Sequence, residues 1–443
     1  MVSIPSGEIV ELLQQLIRNA CVNDGTPGSG GEIRSVDTLD VYLGMAGERF
    51  EPAPGRISAV YRKPGGGGAP TLMLMGHTDV VPAAGTDWSV DPFAGERRDG
   101  FVWGRGAIDM LDQTAAMAAT FKRFATGEAH YPGNLVFLAV ADEEAGGRLG
   151  ARWLVEEHWD AVATDYLLGE IGTPSLIGQK GEGIPVTVAE KGPQWRRLHA
   201  AGIAGHGSQP YRTANAVVPI AEAIARLGAN PPPAAITDEW RRFVATWDPP
   251  EANALLDPDR IAAAIEHLAA TDLGLARWVH SCTHLSVSPN VFHGGVKANV
   301  VPDQAMAEID VRSLPGQDAG DVEEHFRRAI GSGFDSLGYE VVEATAANGS
   351  APDGPLWEAI AGAVGELAPG QHLIPTLIPV GTDARFFRPK GVVAYGVGLM
   401  DDRMQFGDFL RMFHGPDERV SEASLGLTAE LYLRTVQRLG TMG

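Results

Sequence analysis

The amino-acid sequence predicts an α/β protein in which helices flank a mixed, mostly parallel sheet and a smaller α+β domain is inserted into the chain. In the first 180 residues, short apolar runs alternate with helical segments, as they do in parallel sheets. From about residue 187 the order becomes strand, helix, strand, strand, helix, strand, which is that of a ferredoxin-like sandwich. A chain of 443 residues also exceeds the usual size of one domain. We therefore expect one domain at 1–186 and 348–443 and an inserted domain at 187–347.

The first domain is predicted to begin with an amphipathic helix, because Ile9, Leu12, Leu13 and Leu16 repeat at helical spacing. Its predicted strands are the apolar runs "TLMLM" at 71–75, "NLVFLAV" at 134–140 and "YLL" at 166–168. Its predicted helices are "MLDQTAAMAATFKRFATG" and "GARWLVEEHW", which follow the first two runs. After residue 348 helix and strand alternate again, from "LWEAIAGAVGEL" and "GVVAYGVG" to the final helix "SLGLTAELYLRTVQRLG". This alternation predicts that the first domain resumes there.

The inserted domain accounts for the different pattern in the middle of the chain. Its predicted strands are "QWRRLHAAGIAG", "HLSVSP", "AMAEIDVRS" and "YEVVEAT". Its predicted helices are "TANAVVPIAEAIARLG" and "DAGDVEEHFRRAIGSG". A further helical insertion, at about 229–280, interrupts this order.

Composition restricts the classes of partner. The net charge is −21, which disfavours nucleic acid and anionic membranes, because both are held by Lys and Arg clusters. Solubility explains the acidity, although a cationic substrate also fits. The two cysteines, Cys21 and Cys282, are far apart, so neither a disulfide framework nor a thiolate zinc cluster is expected. No apolar run approaches about 18 residues and no leader pattern opens the chain, so we expect a cytoplasmic protein.

Potential metal ligands follow each of the three early apolar runs. His77 and Asp79 follow the first, the pair Glu143 and Glu144 the second, and Glu170 the third. Ligands of open α/β sheets bind beyond the carboxyl ends of the strands, where neighbouring parallel strands meet at one edge. The sequence therefore predicts that these side chains converge on one crevice.

Several of these residues, and a further acid at the start of a predicted helix, Asp109, also have ordinary structural explanations. His77 can be a core histidine, since the chain has 12, and Asp109 can be a helix N-cap. Glu143 and Glu144 can lie in a solvated loop after a strand. Asp79 favours the metal interpretation, because a carboxylate two residues beyond a histidine can orient its imidazole. The combined set of imidazoles and carboxylates, without thiolates, suits zinc, cobalt or manganese.

Nine further segments stand out in the chain: "MGHTDVVPA", "WGRGAIDMLDQTAA", "ADEEAGG", "YLLGE", "AGHGSQP", "KANVVPD", "DVRSLPG", "GTDARFF" and "HGPDERV". In this order they resemble the M20 family of metallopeptidases. The family includes carboxypeptidase G2, aminoacylase-1, acetylornithine deacetylase, succinyl-diaminopimelate desuccinylase and carnosinase-type dipeptidases. The likeness extends from about residue 70 to 430. The sequence departs from many relatives in "HGS", where they have "HSS" or "HAG", and in the insertion at about 229–280.

The resemblance implies a site for two zinc ions, with cobalt or manganese as possible substitutes, in a domain covered by an inserted lid. Asp109 would bridge the two ions, His77 and Glu170 would bind one, and Glu144 and His414 the other. Only the family motif singles out His414 among the histidines. The mostly parallel domain would be catalytic, and the lid would form a homodimer.

The resemblance also assigns residues to catalysis and to substrate binding. Glu143 would be the general base, since successive side chains of a strand point to opposite faces and Glu144 would face the metal. His206 would stabilise the oxyanion, often from a partner subunit, although a loop histidine is the ordinary alternative. Asn299 and Arg312 would contact the substrate. A guanidinium suits a terminal carboxylate, although Arg312 can also be a surface arginine.

The expected function is hydrolysis of an amide or peptide bond beside a free carboxylate. The implied nucleophile is a hydroxide that bridges the zinc ions, with Glu143 as general base. Asp79 would orient the imidazole of His77, and His206 would stabilise the oxyanion. An N-acyl amino acid, a dipeptide and the carboxyl end of a peptide all remain candidate substrates. Two alternatives stay open: a mononuclear metal hydrolase of another substrate class, such as esters, and a catalytically silent binding relative.

Overall fold

The protein was analysed as a computed structural model, which describes residues 3–83 and 87–442. The strands are β1 Glu48–Ala53, β2 Arg56–Lys63, β3 Leu72–His77, β4 Glu96–Arg98, β5 Phe101–Trp103, β6 Leu135–Val140, β7 Tyr166–Gly169, β8 Leu176–Gly178, β9 Gly181–Glu190, β10 Gly192–Pro193, β11 Arg196–Ala201, β12 Gly205–His206, β13 Ser286–Gly294, β14 Val300–Val301, β15 Gln304–Ser313, β16 Gly338–Val341, β17 Asn348–Gly349, β18 His372–Ile378, β19 Val393–Gly396 and β20 Arg419–Ser421. The helices are α1 Ser6–Arg18, α2 Ile33–Leu43, α3 Leu111–Ala125, α4 Ala151–Glu157, α5 Trp159–Val162, α6 Val217–Ala229, α7 Asp238–Trp247, α8 Ala252–Leu255, α9 Ile261–Ala269, α10 Leu273–Thr283, α11 Ala319–Ile330, α12 Gly354–Leu367, α13 Ala384–Phe387, α14 Phe406–Met412 and α15 Glu422–Leu439.

A large mixed sheet forms the centre of the molecule and confirms the predicted α/β class. Its main strand order is β1-β2-β6-β3-β7-β19-β9-β17, and β8 and β18 also pair with β9. Strands β6, β3, β7 and β19 run parallel to one another. Their carboxyl ends therefore meet at one edge, as the prediction for the first domain requires.

Strand β3 illustrates why the central strands are continuous apolar runs. Leu72 and Leu74 pack into the hydrophobic cluster on one face of the sheet, and Met73 and Met75 into the cluster on the other face. Because both faces are covered, no position of the strand needs a polar side chain. At its end, Gly76 allows α3 to pack closely, since a Cβ there would lie 2.4 Å from Oγ1 of Thr114.

A second, antiparallel sheet has the main strand order β10-β15-β11-β16, with β13 paired to the other edge of β15. Along the chain the order β11, α6, β13, β15, α11, β16 is the predicted strand-helix-strand-strand-helix-strand pattern. Helices α6 and α11 pack on this sheet through their own hydrophobic cluster, which includes Ile220 and Phe326. We propose that this unit is the inserted domain predicted at 187–347.

The helical insertion belongs to the core of the large sheet. Trp240, Phe243 and Trp278 of this segment share the hydrophobic cluster that contains Leu377 of β18. The predicted boundary between residues 186 and 187 also falls within β9 of the large sheet. The inserted unit that we propose is therefore formed by the second sheet with α6 and α11, without α7 to α10.

Several strands were missed in the sequence. The missed pairs are β1 with β2, and β9 with β18. Both β9 and β18 contain a proline, Pro185 and Pro375, which argues against a central strand in a sequence pattern. No helix among residues 3–83 and 87–442 is long and apolar enough to cross a membrane.

Candidate active site

The parallel strand ends bring the predicted ligands together. His77 ends β3, and its Nε2 lies 3.1 Å from Oε2 of Glu170, which follows β7. The same nitrogen lies 3.2 Å from Oδ1 of Asp109. Two overlapping groups have ligand atoms within 4.8 Å of one another: His77, Asp109 and Glu144, and His77, Glu143 and Glu170. The crevice expected at this edge of the sheet therefore contains a cluster of ligand atoms.

His414 completes the cluster from the far end of the chain. Its Nε2 lies 2.9 Å from Oδ2 of Asp109 and 3.3 Å from Oε2 of Glu144. The two oxygens of Asp109 thus face different histidines, Oδ1 toward His77 and Oδ2 toward His414. This arrangement is the one a bridging carboxylate between two cations requires.

The ring of His77 is oriented for binding through Nε2. Its Nδ1 lies 2.9 Å from the backbone carbonyl oxygen of Asp79. A carbonyl oxygen only accepts hydrogen bonds, so Nδ1 carries the proton and the neutral ring keeps its lone pair on Nε2. That lone pair faces the carboxylate oxygens of Asp109 and Glu170, and such a contact is favourable only with a proton or a cation between the atoms.

The pKa values of the cluster also indicate that these side chains need a proton or a cation between them. Burial lowers the pKa of His414, but hydrogen bonds to Asp109 and Glu144 outweigh it and raise the pKa to about 10. Burial raises the pKa of Glu144 to about 8, with a further contribution from the nearby charge of Asp109. Burial likewise raises the pKa of Glu170 to about 8, with help from the charge of Glu143. Without a cation, the cluster therefore retains protons at neutral pH.

The carboxylate of Asp79 forms hydrogen bonds with the backbone of Glu143 and Glu144, and none with the imidazole of His77. Its Oδ1 lies 3.7 Å from Nδ1 of His77, beyond hydrogen-bond distance. Its oxygens instead accept hydrogen bonds from the backbone N–H groups of Glu143 at 3.3 Å and Glu144 at 3.2 Å, and from the side-chain amide of Asn23 at 2.8 Å. The carboxylate of Asp79 was expected to orient the ring of His77. The backbone carbonyl of Asp79 orients it instead, because that oxygen lies closer to Nδ1.

The directions of Glu143 and Glu144 do not come from strand alternation, and that part of the sequence reasoning is wrong. Strand β6 ends at Val140, and Glu143–Ala145 form a 3₁₀ turn. Such a turn has about three residues per turn, so neighbouring side chains point about 120° apart. Glu144 extends toward His414, whereas Oε1 of Glu143 lies 3.9 Å from Nη1 of Arg385. Burial raises the pKa of Glu143 to about 7.

A buried ion pair connects the two loops that carry Asp109 and His414. Nη1 of Arg105 donates to Oε2 of Glu418 at 2.7 Å, and both side chains are buried. Oε1 of Glu418 accepts the backbone N–H groups of Ile108 at 2.8 Å and Asp109 at 3.2 Å. Nη2 of Arg105 donates to the carbonyl oxygen of His414 at 3.1 Å. Sequence reasoning missed this pair, although both residues lie in the quoted segments "WGRGAID" and "HGPDERV".

One cavity, the site cavity, lies between the ligand cluster and the second sheet. Its volume is about 380 Å³, and Glu143, Glu144, Glu170 and Arg312 line it. The guanidinium of Arg312 is paired with Asp310, with Nε 2.8 Å and Nη2 3.2 Å from the carboxylate oxygens. Arg312 thus lines the space next to the candidate ligands, and its guanidinium is already paired with a counter-ion.

His206 and Asn299 lie together, but not among the residues lining this cavity. His206 pairs with Val300 across β12 and β14, and both His206 and Asn299 are exposed. The backbone N–H of Ser208 donates to Nδ1 of His206 at 3.2 Å. Since that N–H can only donate, the neutral imidazole carries its proton on the outward Nε2, which is a hydrogen-bond donor.

Comparisons with known proteins agree with this geometry. The profile of "Peptidase family M20/M25/M40" matches residues 73–438. The chain belongs to this family. The resemblance drawn from the motifs is therefore confirmed, and M20 membership supports a metal-dependent amide hydrolase.

The M20 relatives match along nearly the whole chain. Aminoacylase-1 of Sus scrofa is 26% identical over 98% of this chain and 95% of that protein. Succinyl-diaminopimelate desuccinylase of Paracoccus denitrificans is 28% identical over 98% of this chain and 99% of that protein. Among solved structures, an M20 family metallo-carboxypeptidase of Sulfolobus solfataricus aligns with a TM-score of 0.74 at 16% identity, covering 98% of both chains. Human carnosine dipeptidase 1 aligns with a TM-score of 0.72 at 16% identity, covering 98% of this chain and 96% of that chain. These two structures share the fold.

Proposed function

We propose that this M20 protein hydrolyses an amide bond beside a free carboxylate, with a pair of zinc ions bound by the cluster. The observation that carries the proposal is the arrangement around Asp109, whose two oxygens face two histidines, each of which also contacts a glutamate. One binding set would be His77, Asp109 and Glu170. The other would be His414, Asp109 and Glu144.

The donor set fits such ions. Imidazole nitrogen and carboxylate oxygen are ligands of zinc, with cobalt and manganese as substitutes. Oε2 of Glu170 is buried and has no hydrogen-bond donor among the described residues, so a cation would satisfy it. When bound, a metal pair lowers the pKa of water and polarises a carbonyl group.

We assign the proton transfers to Glu143. Its side chain lines the site cavity beside the ligands, and burial raises its pKa to about 7 in the metal-free cluster. A carboxylate in this position can accept a proton from a nearby water. Glu143 takes a proton from the attacking water and returns it to the leaving amine. Asp79 keeps the Glu143–Glu144 turn in place through the two backbone hydrogen bonds.

The free carboxylate of the substrate is assigned to Arg312. A guanidinium binds a carboxylate through two parallel hydrogen bonds, and Arg312 lines the cavity from the second sheet. Binding requires the guanidinium to turn from Asp310 or to share it. The position of Asn299 beside His206 fits a joint role for the two residues.

His206 is proposed to donate from Nε2 to the oxyanion. In a single chain its ring is exposed and lies outside the cavity, so we propose that it reaches the cavity of a partner subunit in a homodimer formed by the second sheet. In a mixed dimer, His206→Ala in one subunit would then inactivate the other subunit. A cytoplasmic location also stays a prediction.

Metal content and activity together test the proposal. The purified protein is stripped with a chelator, reloaded with zinc, and assayed on N-acetyl amino acids, N-succinyl amino acids and dipeptides. We expect activity to rise until two equivalents are bound. Full activity with one equivalent would contradict the dinuclear site, and activity unaffected by complete removal of metal would contradict metal-dependent hydrolysis.

A further inference from the structure

A second cavity shares two lining residues, Val380 and Phe413, with the site cavity. Its volume is about 470 Å³, within the range of about 300–1,000 Å³ that is usual for ligand pockets. Its large apolar side chains are Ile171, Trp278, Ile378, Phe409, Leu410 and Phe413. The cavity is therefore suited to an apolar group.

The cavity begins next to the proposed metal ligands. Ile171 directly follows Glu170, and Phe413 directly precedes His414. The rings of Phe413 and His414 are stacked, with centroids 5.3 Å apart and an angle of 24° between their planes. The residues beside these two proposed ligands therefore form part of the cavity wall.

The wall opposite the cluster comes from the helical insertion. Helix α10 contributes Arg277, Trp278 and Ser281. The ring of Trp278 packs edge-on against Phe406 at 5.8 Å and against Phe243 at 4.8 Å. Since these aromatic rings are packed on several sides, the shape of the cavity is set before a ligand binds.

The polar groups of the cavity disfavour a cation. No Asp or Glu occurs among the described residues that line it. Two arginines, Arg277 and Arg411, lie exposed at its edge. Arg411 is paired with Asp408, whereas Arg277 forms no ion pair or side-chain hydrogen bond with the part of the chain that the structure describes. The hydroxyl of Thr173 is buried in the wall and lacks a partner among the same residues, so it can bind a polar atom of a ligand.

We propose that this cavity receives an apolar acyl group without a positive charge, so that the enzyme acts on N-acyl amino acids in preference to dipeptides. This inference rests on the proposed function. A substrate with its carboxylate at Arg312 and its carbonyl at the cluster extends its acyl group away from Arg312, past Val380 and Phe413. A dipeptide would bring an ammonium group to this cavity, where no Asp or Glu among the described lining residues can pair with it.

The test compares three substrates of the zinc-loaded enzyme: N-acetyl-L-alanine, N-(3-phenylpropanoyl)-L-alanine and L-phenylalanyl-L-alanine. The last two differ only by the ammonium group. We expect kcat/KM to be at least tenfold higher for the phenylpropanoyl compound than for either of the others. Equal or better hydrolysis of the dipeptide, or no advantage over the acetyl compound, would overturn the inference and leave the proposed function intact. Hydrolysis of none of the three would overturn the proposed function itself.

A variant that fills the cavity tests whether this cavity causes the preference for the larger acyl group. In Ser281→Trp the indole would occupy the space next to Trp278, and the phenylpropanoyl-to-acetyl ratio of kcat/KM should fall at least tenfold. The matched control is Ala262→Trp, at an exposed position of α9 in the same insertion, which should keep the ratio. An unchanged ratio in Ser281→Trp would overturn the assignment of the cavity. If that variant does not fold, the ranking of the three substrates by the unaltered enzyme still decides the proposal.

Discussion

Replacement of Glu143 by glutamine tests the division of roles between two neighbouring acids. The substitution keeps the size of the side chain, which is about nine-tenths buried, but removes the group that accepts a proton. Loss of a positioned general base costs about 10²- to 10⁴-fold in rate, which is about 2.7–5.5 kcal/mol of activation free energy at about 1.36 kcal/mol per factor of ten. We expect kcat to fall by this amount while KM and zinc content stay close to those of the parent enzyme.

The control is the same substitution one residue further on. Glu144→Gln removes a carboxylate whose Oε2 lies 3.3 Å from His414, so it should lower zinc content as well as activity. Steady-state kinetics and metal analysis are measured for both variants on one N-acyl amino acid. The reasoning is refuted if Glu143→Gln loses zinc in parallel with activity, or if it keeps full zinc and a kcat within threefold of the parent.

Further predictions address substrate recognition, support of the ligands and proton uptake. Arg312→Ala should raise KM about 10- to 100-fold for substrates with a free carboxylate, given about 1.5–3 kcal/mol for a charged hydrogen bond, and equal loss on a carboxyl-amidated analogue would contradict this role. Glu418→Gln breaks the ion pair with Arg105 that supports Asp109, so zinc affinity measured by competition with a chelator should fall about 10- to 100-fold; unchanged affinity would exclude such support. In the metal-free protein the glutamate and histidine pKa values of the cluster are raised, so the folded state binds more protons than the unfolded state and its melting temperature should fall as the pH rises from about 5 to 9. The zinc-loaded protein should show a smaller fall, since cations replace those protons, and equal slopes would count against a metal at the cluster.

The approximate order of the elements could be predicted because it depends on local patterns. A run such as "TLMLM" is buried on both faces of the sheet, so its hydrophobicity is continuous and visible in the sequence. Strand β18 was not visible, because "HLIPTLI" contains Pro375 and its pairing with β9 joins segments almost 190 residues apart. Packing of the insertion against the large sheet was equally hidden, since its aromatic residues fit any core.

The candidate ligands likewise include some that local sequence patterns predict and some that they do not. Residues at or shortly after strand ends, His77, Glu144 and Glu170, were predictable, because parallel strands bring their carboxyl ends to one edge of the sheet. His414 was identified by likeness to a family motif, since a contact between residues 305 positions apart leaves no local pattern. The separate directions of Glu143 and Glu144 were expected from a strand but arise from a 3₁₀ turn.

The sequence by itself determined the kind of chemistry: carboxylates and imidazoles at strand ends, in motifs of a metallopeptidase family. Only the tertiary structure decided which atoms face one another. It placed the two oxygens of Asp109 toward different histidines, and it joined Arg105 to Glu418 across 313 positions of the chain. The physical reason is the separation along the chain over which each effect acts. Periodicity and turn chemistry act over a few residues, whereas the geometry of a binding site is set by packing among segments that meet only when the whole chain has folded.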